Sequence, residues 1–317
     1  MKIGKIWEFG RGASEIDDSE VEALGEKLRV RLVGGLGNQL FQYAFGRSIC
    51  DRRGAELVLD ASAYGTVARN VSYREVALDA FNIRATISRE RTYGPLVLTA
   101  LQWVPALARL RGVRFEKSQD FDAKAFLTDR YRYYFGYWQS YKYFEDNAKR
   151  IANDLQPRLP LSASARSFLS GVRLDRAVGV HVRRGDYVKL AAASSYHGCL
   201  GAQYYQEAIA HCAIAERNAH FYVFSDDIDW CRRADLALGR PVTYIEADPQ
   251  RSDWEELWMM SACTHQIIAN SSFSWWAAWL ADQRLGGQER CVVAPSRWFA
   301  GMCVRGSDRI PRHWLTL

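Results

Sequence analysis

No apolar run in this chain approaches the ~18 residues that a membrane-crossing helix needs. No two of its 7 cysteines (Cys50, Cys199, Cys212, Cys231, Cys263, Cys291 and Cys303) show C-x-x-C spacing, and the count is odd. That argues against a disulfide framework or a zinc site and favours a reducing, cytoplasmic compartment. Charge of one sign is also scarce. A net +6 over 317 residues is too mild to mark a nucleic-acid binder. It suits an anionic small ligand or the fringe of an acidic membrane surface. Internal repeats and low-complexity tracts are missing too. The first 28 residues are polar and acidic and lack the apolar centre of a secretory signal. They are expected to form a loose leader, partly helical over 18–28.

What is present reads as globular: 48% hydrophobic and 25% charged residues. The length suits two domains of ordinary size. Aromatics reach 13%, with 11 Trp, enough for a core or for a surface that binds sugars or bases. From residue 29 strands alternate with helices. RVRLVG reads as a buried strand, and Leu40, Phe41, Ala44, Phe45 and Ile49 mark one face of a helix over 38–53. AELVLD (55–60) is a second strand, whereas 61–130 shows no sustained period. LQPRLPLSASARS (155–167) is the best linker. Beyond it strands are expected at 176–182, 220–225, 241–246, 265–270 and 290–295. Helices are expected at 202–217, 228–237, 252–263 and 273–284. Such alternation predicts an α/β fold with a parallel sheet, whose ligands bind past the carboxyl ends of the strands.

Three of those strand ends carry polar bursts. In GVHVRRGDYV, His181 precedes Arg183, Arg184 and Asp186. A guanidinium fork beyond a parallel strand matches diphosphate oxygens, and a structural Arg–Asp pair at a turn is the competing reading. In FYVFSDDIDWC, Ser225, Asp226 and Asp227 stand where a strand turns into a helix. Helix capping explains them as well as ligand binding does, and Asp227-x-Asp229 is discounted as a metal site. In IIANSSFSWWAAWL, Asn270, Ser271, Ser272 and Phe273 open a helix whose N–H groups suit an anion. The Trp275, Trp276, Trp279 stripe behind them reads as core ahead of ligand contact. The turn GGLGNQ fails the dinucleotide fingerprint, because Leu40 stands in place of the third glycine, and it has no Walker lysine. Gly35 and Gly37 still let backbone approach a ligand, and Asn38 and Gln39 add amide donors.

Taken in order, GGLGNQLFQYAFGR, GYWQSYKYF, VHVRRGDYV, FYVFSDDIDWC and IIANSSFSWWAAWL resemble the bacterial α-1,2-fucosyltransferases of glycosyltransferase family 11. The H-x-R-R-x-D segment resembles the signature shared with α-1,6- and protein O-fucosyltransferases. The resemblance implies a GT-B type fold, with two Rossmann-like domains facing a central cleft. The expected division is a leader (1–28), an N-terminal acceptor-side domain (29–156), a linker (157–170), a nucleotide-sugar domain (171–300) and a tail (301–317). GDP-β-L-fucose is the implied donor. A galactose-terminated oligosaccharide or lipid-linked glycan is the implied acceptor, with inversion and without a metal or other cofactor. Loose association with the inner face of the cell membrane fits a lipid-linked acceptor.

By the same resemblance Arg183 holds the leaving β-phosphate, His181 helps seat the nucleotide, and Arg184 is secondary. Gly35, Gly37, Asn38 and Gln39 approach the phosphates. Glu256 accepts from guanine, with a solvated helix acid as the equal alternative, and Ser225, Asp226, Asn270, Ser271, Ser272 and Phe273 complete the pocket. Related enzymes place a Glu where Ala191 stands here. The general base is therefore open between Asp186, His197 and no base at all. Tyr137, Trp138 and Gln139 are an acceptor wall or simply core. Two rivals remain at this stage: a sugar- or nucleotide-binding protein with weak catalysis, and a dinucleotide-dependent oxidoreductase.

Overall fold

A computed structural model describes residues 26–65, 75–172, 176–185, 198–286, 290–299 and 308–317, with the backbone of 302–303. The expected leader falls outside the described residues up to 25, and so do Asp186, Ala191 and His197.

Two parallel sheets form the molecule. The first takes β1 (Lys27–Arg31), β2 (Glu56–Asp60), β3 (Thr86–Ser88), β4 (Val113–Phe115) and β5 (Tyr133–Phe135) in the order β3-β2-β1-β5-β4. Every pairing in it is parallel. The second takes β6 (Ala177–Val182), β7 (His220–Ser225), β8 (Val242–Ile245), β9 (His265–Ile267), β10 (Val292–Ala294) and β11 (Leu315–Thr316). From β8 the order runs β8-β7-β6-β9-β10-β11, again all parallel, which is the Rossmann arrangement. Two such halves, face to face, are the GT-B type of α/β fold. β6 is buried at all six positions, as a central strand covered on both faces must be.

Each sheet has one place where the chain reverses its direction of growth: between β1 and β5, and between β6 and β9. Ligands of open α/β sheets bind at such places. A buried Arg31–Asp60–Tyr133 cluster fixes the first, with the Tyr133 hydroxyl donating to Asp60 at 2.6 Å and the Arg31 Nη1 lying 3.5 Å from Asp60 Oδ2.

The helices that matter are α1 (Leu36–Arg53), α2 (Pro95–Trp103), α3 (Pro105–Leu110), α4 (Ala202–Ala215), α5 (Ile228–Arg233), α6 (Asp253–Ala262) and α7 (Ser272–Leu285). α7 does not stay with its own sheet. Its tryptophans pack on α1 and on the 3-10 turns after β5. Phe41 lies 4.6 Å from Trp275 and 5.0 Å from Trp276, and Phe144 stacks on Trp276 at 5.4 Å. One apolar core therefore runs from Leu28 and Val30 through these rings to Trp298, Ile310 and Trp314.

Several expectations change. β1 starts two residues inside the expected leader. The stretch 61–130 contains β3, β4, α2 and α3, and the expected linker carries a helix, Ala163–Gly171, capped by Ser162. The tail is no tail: Ile310 and Trp314 enter the core, and Leu315–Thr316 adds an edge strand.

Candidate functional site

The two switch points meet. Chain leaving β1 turns through Gly34, whose φ of +84° suits glycine, and Gly35 precedes α1 with no side-chain cap. Chain leaving β9 reaches Ser271, which caps α7 by accepting from Phe273 N. The first turns of both helices touch. A Cβ on Gly37 would stand 2.5 Å from Phe273 N and from Ser272 C, so only glycine permits this approach. Two helix N-termini thus bring their positive ends to one spot, which favours an anion there.

A chain of polar groups sets the orientation of Asn38 at that spot. Arginine can only donate. Arg309, buried beside Trp298 and Phe299, donates to Gln139 Oε1 and to Gln119 Oε1. Gln139 must then donate through Nε2, and it does so to Asn38 Oδ1 at 2.7 Å. The Ser272 hydroxyl donates to the same oxygen at 2.9 Å. The acceptor end of Asn38 is thereby engaged, and its Nδ2 lies over Gly34, where a Cβ would come within 2.3 Å. Asn38 therefore joins both halves and offers N–H groups at the seam.

Glu116 supports the same turn from behind β4. It accepts from Tyr137 N at 2.6 Å and Trp138 N at 2.9 Å, holding Trp138 at φ +54°. Burial raises the Glu116 pKa, while those two N–H groups and Arg309 pull it down.

On the opposite side, His181 and Arg183 end β6. The His181 ring packs on Phe273 at 5.4 Å, tying the end of β6 to the start of α7. Burial, reinforced by the Arg183 charge, pushes the His181 pKa down to about 3, so its imidazole is neutral at working pH. Its buried Nδ1 has no protein partner among the described residues. Arg183 is partly exposed and its Nη1 lies 3.0 Å from Asp226 Oδ2. The other oxygen of Asp226 accepts from Arg184 N at 2.8 Å. Asp226 thus clamps the arginine turn from the end of β7.

The remaining expected residues fall into place differently. Gln39 is buried, with Nε2 donating to Gly34 O and Glu75 O and Oε1 accepting from Ala77 N, so its amide serves the loop and not a ligand. Arg184 lies over Trp230 at 3.9 Å and pairs with Asp227 at 3.3 Å, a packing role. Asp226 faces those arginines. Ser225 Oγ accepts from Asp227 N, and Asp227 caps α5. Asn270 donates to Gly198 O and Trp298 O. Trp138 is fully buried and stacks on Phe45 at 4.2 Å, which removes it from any acceptor wall; Tyr137 is exposed. Glu256 pairs with Arg251 at 2.9 Å, while Glu255 forms the capping box of α6 with Ser252.

What converges is His181, Gly37, Asn38, Ser272 and Phe273; Arg183 stands two residues beyond His181, held by Asp226. Sequence reasoning missed Glu116 and Arg309. Arg309 had no local signal, because the two glutamines it donates to lie 170 residues or more away along the chain. A groove of about 1070 Å³ opens elsewhere, beside Arg47 and Arg84. Its three arginines, Arg47, Arg84 and Arg150, are paired with Asp51 and Asp154, which makes it a weaker anion seat.

Known proteins resemble the chain over most of its length. An α-1,2-colitosyltransferase of Escherichia coli is 33% identical over 292 residues, covering 90% of this chain and 97% of its own. The O-antigen biosynthesis glycosyltransferase WbnK of Escherichia coli is 30% identical, covering 85% and 94%. Galactoside 2-alpha-L-fucosyltransferase SEC1 of Bos taurus is 24% identical, covering 81% and 65%. A family profile described as glycosyl transferase family 11 matches residues 21–301. This chain belongs to glycosyl transferase family 11.

Proposed function

We propose that this glycosyltransferase moves L-fucose from GDP-β-L-fucose to the 2-hydroxyl of a terminal galactose, inverting the anomeric centre without a metal. The observation that carries this reading is the meeting of the α1 and α7 N-termini beside His181, with Arg183 two residues further along the chain leaving β6. As the bond between fucose and phosphate breaks, negative charge grows on the β-phosphate. Arg183, Asn38 Nδ2 and the two helix ends supply the positive potential, already oriented before the reaction begins. Neutral His181 offers hydrogen bonds to the nucleotide and adds no charge. Asp226 holds Arg183 until the diphosphate arrives. Asp226 and Asp227 both pair with arginines, which supports a mechanism without a cation. Glu256, paired with Arg251, is proposed to accept from the guanine edge through its second oxygen.

A second reading has a specific observation behind it. The 33% identity with a colitosyltransferase favours GDP-colitose as donor. Colitose is L-fucose lacking one hydroxyl, and a site built to hydrogen-bond that hydroxyl discriminates strongly against its loss. Both nucleotide sugars should be offered with a β-galactoside in the presence of EDTA, and the product linkage read by NMR. The proposal expects fucose on the 2-hydroxyl. Transfer of colitose alone establishes the second reading. No transfer from either donor, or dependence on a divalent ion, overturns the proposal.

A further inference from the structure

Helices α2 and α3 expose a run of large apolar side chains. Leu96, Trp103 and Leu110 are 86%, 81% and 80% exposed, and Val97, Val104 and Leu107 stand exposed among them. The first three are spaced seven residues apart. Leu98, Leu101 and Ala108 point the other way, into a small core with Val113 and Tyr133 that fixes the pair of helices to the edge strand β4. Pro95 and Pro105 each begin a helix, so the element is two short cylinders with an outward apolar ridge. Contiguous exposed apolar surface of this kind marks an interaction site.

Its charge says what covers it. Residues 91–115 contain no Asp, Glu or Lys, and their only charged side chains are Arg91, Arg109, Arg111 and Arg114. Beside the ridge lies a groove of about 640 Å³ lined by Arg109, Lys117, Lys124 and Arg130, with Glu116 as the one carboxylate of its lining; Arg114, also there, is paired with Asp122. A second copy of the chain would bring the same arginines face to face across a twofold axis. An anionic lipid surface complements both features: acyl-chain boundary for Leu96, Trp103 and Leu110, headgroup phosphates for the arginines. Tryptophan is the residue that favours this boundary.

We infer that the Pro95–Leu110 helices and the adjoining basic groove dock this protein onto an anionic bilayer. Glu116 lies in that groove and also holds the turn that leads to Gln139 and Asn38. A membrane-borne substrate would therefore meet the protein on the side from which the turn is reached. The docking itself does not depend on which sugar is transferred.

The test is co-sedimentation of the full chain with vesicles of phosphatidylcholine alone and of phosphatidylcholine containing one third phosphatidylglycerol. The triple variant Leu96→Ser, Trp103→Ser, Leu110→Ser is measured alongside, with its melting temperature and its transfer to a soluble acceptor as fold controls. Binding to the anionic vesicles is expected to exceed binding to the neutral ones, to weaken with salt, and to fall at least ~10-fold in the variant. Equal sedimentation of the variant and the parent, or none of the parent with anionic vesicles, overturns the inference. So does a concentration-dependent dimer that the variant abolishes, since a second copy would then cover the ridge.

Discussion

His181 is neutral because it is buried, and that has a measurable cost at low pH. Its folded pKa, about 3, lies below the 6.5 of a free imidazole. Between those values the unfolded chain binds a proton that the folded chain refuses, so stability falls as pH drops below 6.5 and rises toward neutrality. His181→Gln should flatten this dependence. Melting temperatures of both proteins between pH 7 and 5 check it, and a parallel decline would show that His181 takes no part. Gln139→Glu tests the orientation of Asn38. The new carboxylate still accepts from Arg309 but cannot donate to Asn38 Oδ1. The Asn38 amide should then turn over and present oxygen to the phosphates. Roughly tenfold weaker GDP binding is expected, equivalent to ~1.4 kcal/mol, with guanosine affinity and melting temperature preserved. Equal losses for guanosine would mean general damage. Arg183 was legible in the sequence because it follows directly on a strand, and Asn38 because it opens a helix behind a glycine turn. Gln39, next door, read as the same kind of donor. One residue's rotation along a helix sends it to Glu75 and Ala77 instead, and no local pattern encodes that choice.

At the level of elements, the site depends on how closely α1 meets α7. Gly37→Ala places a methyl against the Ser272–Phe273 backbone at 2.5 Å, which cannot be relieved by turning a side chain. The helix ends must separate. GDP affinity should fall by roughly tenfold or more, as titration calorimetry would show; unchanged affinity would mean that the two N-termini do not act together. Five of the six strands of the second sheet were readable because each is a short apolar run closed by polar residues: HFYVFS was expected at 220–225 and occupies those positions. β3 and β4 were not, because three-residue strands with partly exposed side chains have no period to detect. α2 and α3 escaped for a different reason. Their apolar residues lie on both faces, so the contrast that signals an amphipathic helix is missing.

The whole molecule places two switch points against each other and locks them with one core. Trp276 lies in that core, fully buried between Phe41 of one half and Phe144 after β5. Trp276→Ala should cost about 3–5 kcal/mol. Because the core is shared, urea unfolding should remain a single transition that shifts as a whole, followed by fluorescence and circular dichroism together. Two separate transitions would show that the halves fold independently. The tryptophan stripe reads as core from its spacing alone, but its role in joining the halves does not, since helical period says which residues face inward and not which half they face. The tail was misread for a related reason: the partners of Trp314, Trp275 and Asp282, lie on α7, and no local pattern points to them.

The central claim is that Arg183 and the joined helix ends hold a diphosphate. Calorimetric titration of the parent and of Arg183→Ala with GDP and with guanosine tests it most directly. The account predicts that GDP binds the parent, that the substitution weakens GDP by at least ~10-fold while leaving guanosine unchanged, and that turnover drops by about 10²–10³. GDP binding equally well to both proteins would contradict it.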